Sequence, residues 1–184
     1  MTTRARSVHF AFVGIWAGAL VMAGASAAII FPTTKDLAPT FAKYAQYTGE
    51  HWKLGAGMVQ NRVFLVTDAV CAAAAVIASA SLAIEWMNAR WKGILPKARV
   101  IALVLACAAL GYQLFVLGPV MSQNIRQHWQ LAAAGDNQSA EEYRAAFEAD
   151  HPKASAIMYA QFGAVVLTLA LGLIARPTPN AKSD

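Results

Sequence analysis

The sequence predicts an all-α integral membrane protein, a four-helix bundle with short amphipathic helices in its two outer loops. Three observations carry that expectation. Of 184 residues, 58% are hydrophobic and only 14% are charged, with a mean hydropathy of +0.43. A soluble domain carries roughly a quarter of its residues as charged groups. The apolar residues gather into four runs of bilayer length, and the cations divide unequally between the segments that join them.

A hydrocarbon core of about 30 Å needs about 20 helical residues to cross it. Runs at about residues 9–31, 63–84, 100–121 and 154–175 meet that length. The second contains one acid, Asp68, and the others carry no formal charge. Backbone polar groups in lipid must be bonded within the segment, so each run is expected to be a helix despite its valines and isoleucines. Together they make one four-span domain over residues 1–184. Arg4 and Arg6, the first run, and Ala25, Ser26 and Ala27 also fit a cleavable secretory signal. The run is longer than a usual signal core, so it is read as a retained helix.

With four spans, the N-terminus, the middle connection and the C-terminus share one side. That side carries Arg4, Arg6, Arg90, Lys92, Lys97, Arg99, Arg176 and Lys182. The other side carries Lys35, Lys43, Lys53, Arg62, Arg126, Arg144 and Lys153 on much longer segments. Basic density is roughly twofold higher on the first side, which places both termini in the cytoplasm of a bacterial-type inner membrane. The formal charge of +5 and pI near 9.4 then reflect orientation, and nucleic acid is not expected as a partner. The expected partners are the lipid bilayer and, beyond it, other transmembrane subunits or a second copy. Trp86 and Trp91 at the inner boundary, and Trp52 and Trp129 in the outer loops, fit interfacial belts.

Each outer loop is longer than a bundle connection needs. In the first, Pro39 and Gly49 bracket a short helix with Phe41, Tyr44 and Ala45 on one face. In the second, Ser139 and Glu142 read as a capping box, Tyr143 and Phe147 follow at i,i+4, and Pro152 opens the fourth span. Glu50, His51 and Trp52 are echoed by Gln127, His128 and Trp129, which hints at a duplicated hairpin.

Asp68 is the most unusual residue, because an acid in a span costs a few kcal/mol unless it finds a partner or water. By depth, Gln113, Tyr159 and Gln161 could join it in an intramembrane polar cluster. Such a cluster is either a hydrogen-bonded packing feature or a proton or cation site. His51, His128 and His151 fall on the outer side and could bind metal, since imidazole suits zinc and copper. Their spacing is not that of a metal motif, and surface histidines are the simpler reading. Bis-histidine haem is less favoured still, because His9 lies at the opposite end. No cofactor is expected beyond these alternatives.

Cys71 and Cys107 differ in depth by about 10 Å at 1.5 Å per residue and are read as small packing residues. No nucleophile elbow, phosphate loop, Cys-x-x-Cys or zincin motif occurs, so nothing points to an enzyme. Gly14 and Gly18 form a Gly-x-x-x-Gly, and Ala72 to Ala75, Ala78, Ser79, Ala80 and Ser81 give helix two a small-residue surface. Small residues let helices approach closely, within the bundle or against another subunit.

Trp16 and Gly18 in helix one, with Ile30, Phe31 and Pro32 at its end, and Phe147 and His151 ahead of the last span, form a recognisable layout. It resembles the four-helix membrane proteins grouped as domain of unknown function 4149, related to a small eukaryotic transmembrane protein. The long first outer loop departs from that family. The resemblance implies the fold, leaves the activity open, and points to His151, with Trp16 and Gly18 structural. Three functions remain in view: a structural or accessory subunit of a membrane assembly, an outer-face metal or haem binder, and a small proton-coupled transporter centred on Asp68. The low polar content of the spans favours the first.

Overall fold

The computed structural model describes residues 2–88 and 91–175. Among them the chain is wholly helical: α1 is Thr2–Leu37, α2 His51–Asn88, α3 Leu95–Tyr112, α4 Gly118–Ala134 and α5 Asn137–Ile174. A π-helical turn at Gln113–Leu117 joins α3 to α4, so four long helices form a four-helix bundle. All four are long and apolar enough to cross a membrane, as a multi-pass membrane protein requires. Arg90, Arg176 and Lys182, counted toward the orientation, lie outside the described residues.

The helices overshoot the spans that hydropathy marks. α2 and α5 have 38 residues each. At 1.5 Å per residue that is about 57 Å, against about 30 Å of hydrocarbon. The outer loops shrink accordingly. The first is residues 38–50, with a 3-10 turn at Ala42–Tyr44 in place of the expected longer helix. In the second, the expected separate surface helix is absorbed into the ends of α4 and α5, which leaves only Gly135 and Asp136 between them. Pro32 and Pro152 sit inside helices rather than ending or opening them. Thr34 Oγ1 donates to the Ile30 carbonyl (2.7 Å) and Ser155 Oγ to the His151 carbonyl (3.1 Å), so hydroxyls supply bonds near each ring. The cap of α5 lies three residues earlier than the sequence suggests: Asp136 is the capping side chain in place of Ser139, and its Oδ1 accepts the Ser139 N–H at 3.1 Å.

Two compact units are separable. One comprises Met1–Leu20, Asp68–Leu110 and Met158–Asp184. Its core is built from small residues: Ala74, Ala75 and Ala78 of α2 and Ala102 and Ala106 of α3 are buried, around Val13, Trp16 and Val165. Part of the small-residue surface of helix two, Ala74, Ala75, Ala78 and Ser81, therefore packs internally, as close helix approach in lipid requires, while Ala73 and Ala80 stay exposed.

The other unit comprises Val21–Thr67 and Gly111–Ile157. Here Gln60 Nε2 donates to the Ala23 carbonyl (3.1 Å) and Ser26 Oγ to Gln60 Oε1 (3.3 Å), which ties α1 to α2. A second cluster buries Tyr44, Leu54, Ala132 and Ala140, with Phe41, Tyr47, Met58 and Trp129 against it. Trp129 thus serves this core. Burial pushes the Tyr44 and Tyr47 phenols up from their ordinary value. Asn137 holds the first loop in place: its Nδ2 donates to the Gln46 carbonyl (3.0 Å) and its Oδ1 accepts the Thr48 N–H (2.9 Å).

The Gly135–Asp136 turn is a Schellman motif. The Gly135 N–H reaches the Ala132 carbonyl (3.3 Å) and the Asp136 N–H the Leu131 carbonyl (3.0 Å). Gly135 has φ +79°, and a Cβ there would press on the side chain of Gln46, whose own Cβ would stand 3.1 Å away. Both facts demand glycine. Gly135→Ala should therefore cost about 1–2 kcal/mol and raise hydrogen exchange in residues 38–50, read by mass spectrometry in detergent. A variant as protected as the native chain would contradict this.

The Asp136 cap gives a pH dependence. The Ser139 hydrogen bond holds its carboxyl below the usual value, so the native state binds that proton less readily than the unfolded chain. The contribution is complete above the ordinary Asp value and is lost as pH falls through the depressed one. The protection factor of the Ser139 amide, its exchange rate relative to the unstructured chain at the same pH, should fall with acid in the native chain and stay flat in Asp136→Asn, whose amide caps at every pH.

Candidate functional site

Four groups of residues bear on function, and each is built by its own helices.

Asp68 stands on a seam of α2. Ala69, Ala73, Val76 and Ala80 lie on the exposed side, while Cys71, Ala75, Ala78 and Leu82 are buried on the other. Asp68 shares the border between them with Ala72 and Ser79, which are half-buried as it is. At Ser79 the seam closes on α3, where Ser79 Oγ meets Cys107 Sγ at 3.7 Å. Asp68 makes no hydrogen bond and no ion pair among the described residues. The three residues expected near it behave differently from one another. Tyr159 is 71% exposed and so lies on the outer surface of α5. Gln161 is buried with its Nε2 unpartnered, and Gln113 lies in the π turn with its Oε1 enclosed and unpartnered. A π turn is a frequent companion of functional sites. Here its local cause is visible: Pro119 follows Gly118, whose N–H bonds back to the Gln113 carbonyl.

His51 and His128 are occupied with structure. The Phe41 N–H donates to His51 Nδ1 at 3.1 Å, and His51 Nε2 lies 3.3 Å from the Tyr47 carbonyl. An accepting Nδ1 puts the hydrogen on Nε2, so both ring nitrogens serve the backbone. His128 is buried, and its Nδ1 donates to the Ala140 carbonyl at 2.9 Å. Tyr47 packs against both rings, with centroids 6.0 Å from His51 and 5.7 Å from His128. The echoed His-Trp pairs of the two loops thus converge on one tyrosine. His151 is exposed on α5 beside Phe147, 5.9 Å between rings. Among the described residues no group of three His, Cys, Asp or Glu is placed to hold a metal ion. Trp52 sits between Lys35 and Lys53, and its Nε1 donates to Glu50 Oε1 at 3.0 Å. That bond and the Lys53 ion pair hold the Glu50 carboxyl below its usual range.

Gly14 and Gly18 do not pack within the chain. Both are exposed, and a Cβ built on either meets nothing within 4 Å.

The fourth group was not anticipated as a site. Arg99 of α3 and Glu85 of α2 are each 1% exposed and paired at 3.0 Å. Arg6 of α1 lies 4.0 Å from the same carboxylate and donates to the Gly172 and Ala175 carbonyls at 2.6 and 3.0 Å. Those carbonyls end α5, where the helix dipole is negative. Phe10 lies beneath both guanidiniums, at 5.5 Å from Arg6 and 5.3 Å from Arg99. His9, fully buried, points Nδ1 at the Ala78 carbonyl, 2.9 Å away. Glycine at 172 is what lets this assembly close: a Cβ there would stand 2.8 Å from Phe10 and 3.0 Å from Arg99 Nε. The sequence shows these charges, yet Arg6 and Arg99 read as orientation signals and Glu85 carries no reading of its own. The usable signal was the shortness in sequence of the connection between α2 and α3, which sets positions 85 and 99 at about one level.

No family model matches this chain, and no curated protein or solved structure matches it.

The ion network makes a quantitative prediction. Removing one partner of a buried pair leaves an uncompensated charge and costs about 3–5 kcal/mol, whereas replacing both with apolar groups is often neutral. Glu85→Gln should lower the thermal midpoint in detergent sharply, and Glu85→Met with Arg99→Met should recover most of the loss. Equal loss in the single and double variants would show that the network stabilises through packing alone.

Proposed function

We propose that this chain is a structural or accessory subunit of a membrane assembly, seated in a bacterial-type inner membrane with both termini in the cytoplasm. The observation that carries the reading is the open glycine face of α1. Gly14 and Gly18 point outward into open space, on a helix otherwise lined there by Ile15, Val21 and Met22. Against lipid tails a glycine gains little. Against a second helix it allows backbone approach, where dispersion and Cα–H contacts hold helices together. The α2 alanines already satisfy the internal demand for small residues, which leaves the α1 glycines for an external one.

Supporting points come from the other groups. His51 spends both nitrogens on the backbone, which weighs against a metal or haem role for the outer histidines. The cations Arg4, Arg6, Lys92, Lys97 and Arg99 gather toward one set of helix ends, in keeping with a cytoplasmic placement. The likeness to the domain of unknown function 4149 family, on Trp16, Gly18 and His151, belongs to the same proposal and leaves the activity open.

The test is native size in mild detergent, measured by mass photometry. The native chain is expected in a complex larger than its 19.6 kDa. Gly14→Leu with Gly18→Leu should dissolve that complex without unfolding the lone chain, since leucine is a better helix former by about 1 kcal/mol per site. A native chain that purifies as a lone monomer would end the accessory reading.

A further inference from the structure

We propose that Asp68 is the contact point for a transmembrane helix of another chain that carries a lysine or arginine at matching depth. This deepens the accessory reading and rests on it.

The argument begins with cost. Between Arg62 and Glu85, Asp68 is the only charged residue of α2. At 1.5 Å per residue it lies about 9 Å along the axis from Arg62 and about 25 Å from Glu85. Long basic side chains can snorkel over such a distance, but the short aspartate stem cannot. The carboxylate is therefore held in the apolar layer, where an ionisable group is expensive and is found paired or facing a polar cavity.

The described residues supply no such partner. Asp68 forms no ion pair and no hydrogen bond among the described residues. The contrast with Glu85 is direct, because that acid has Arg99 at 3.0 Å and Arg6 at 4.0 Å. The protein can thus compensate a buried acid where it needs to, and it does so within its own helices at Glu85.

Position decides what could compensate Asp68. It sits on the border between the buried and exposed sides of α2, beside outward-facing Ala69 and Val70. A helix lying on that exposed side would meet small and β-branched residues and could bring a cationic side chain to the carboxylate. Lysine and arginine are the complement, because they cancel the charge and donate to both carboxylate oxygens. A resident proton would neutralise the acid as well, but a proton path needs further ionisable groups. The nearest acid on α2, Glu85, is about 25 Å away and engaged with Arg99.

The probe is a synthetic leucine-alanine helix of bilayer length with a single lysine placed six residues from one end, and a twin with glutamine there. Labelled protein in phosphatidylcholine vesicles is titrated with each, and association is read by energy transfer. The lysine helix should bind at least about tenfold more tightly than its twin. The preference should vanish in Asp68→Asn and persist in Asp68→Glu. The thermal midpoint of lone Asp68→Asn should equal or exceed that of the native chain, since a desolvated charge is removed and no internal partner is lost. Asp68→Ser serves as a second variant if the amide disturbs folding. Equal binding of the two helices, or a lysine preference that survives in both Asp68→Asn and Asp68→Ser, overturns the proposal. So does Asp68-dependent proton uptake by vesicles without lysine preference. A complex that dissolves with the α1 glycine variants while the probes bind equally removes this inference and leaves the accessory reading. A lone monomer in detergent that still prefers the lysine helix removes that reading and leaves Asp68 as a cation-recognising site.

Discussion

The bilayer's refusal to hydrogen-bond backbone is the constraint on which this structure depends. Inside hydrocarbon each N–H and C=O must be bonded by its own segment, so the chain can cross only as helix. The same demand continues where the sequence offers reasons to stop. Pro32 and Pro152 each remove a donor, yet α1 and α5 run through them. Pro119 is accommodated by one π turn, in which the register shifts and the Gly118 N–H finds the Gln113 carbonyl. Once a helix has nucleated over a span, adding residues costs little, and it ends only where another arrangement satisfies its last groups. The Schellman turn at Gly135 and the left-handed Ala38 after α1 are those ends.

That logic explains which parts were legible in the sequence. Four spans follow from four apolar runs, because lipid contact leaves an unmistakable composition. The extensions of α2, α4 and α5 beyond the spans were hidden, because Lys53, Arg126, Glu141 and Arg144 look like loop residues in composition. They are helical through interactions that no hydropathy profile contains: the Tyr44 and Leu54 cluster, and the Arg144–Glu141 and Arg144–Glu148 pairs along α5. Proline and capping rules were applied at Pro152 and Ser139, and both yielded to stronger local facts, a continuous helix and an earlier aspartate. Among the site residues, depth alone suggested that Asp68, Gln113, Tyr159 and Gln161 might meet. Depth carries no information on rotation about the helix axis, and rotation is what sends Tyr159 outward. Two of the outer histidines turn inward for a related reason: the His51 and His128 rings each bond a nearby backbone group, whereas His151 stays exposed beside Phe147.

The two acids of α2 show how the chain treats charge at low dielectric. Glu85 is closed off: the Arg99 and Arg6 guanidiniums face it, and these in turn rest on Phe10 and, for Arg6, on the terminal carbonyls of α5. Such an arrangement gains specificity more than stability, because desolvating three charges consumes most of their attraction. Its consequence is geometric: α1, α2, α3 and α5 are tied to one another through Arg6, Glu85 and Arg99. Asp68 has none of this enclosure. The same helix sets one acid against two guanidiniums and leaves another, on the border of its exposed side, without a partner among the described residues. The uneven treatment of the two carboxylates, more than either residue alone, is the physical reason to look for function on the outer faces of α1 and α2 rather than in the interior.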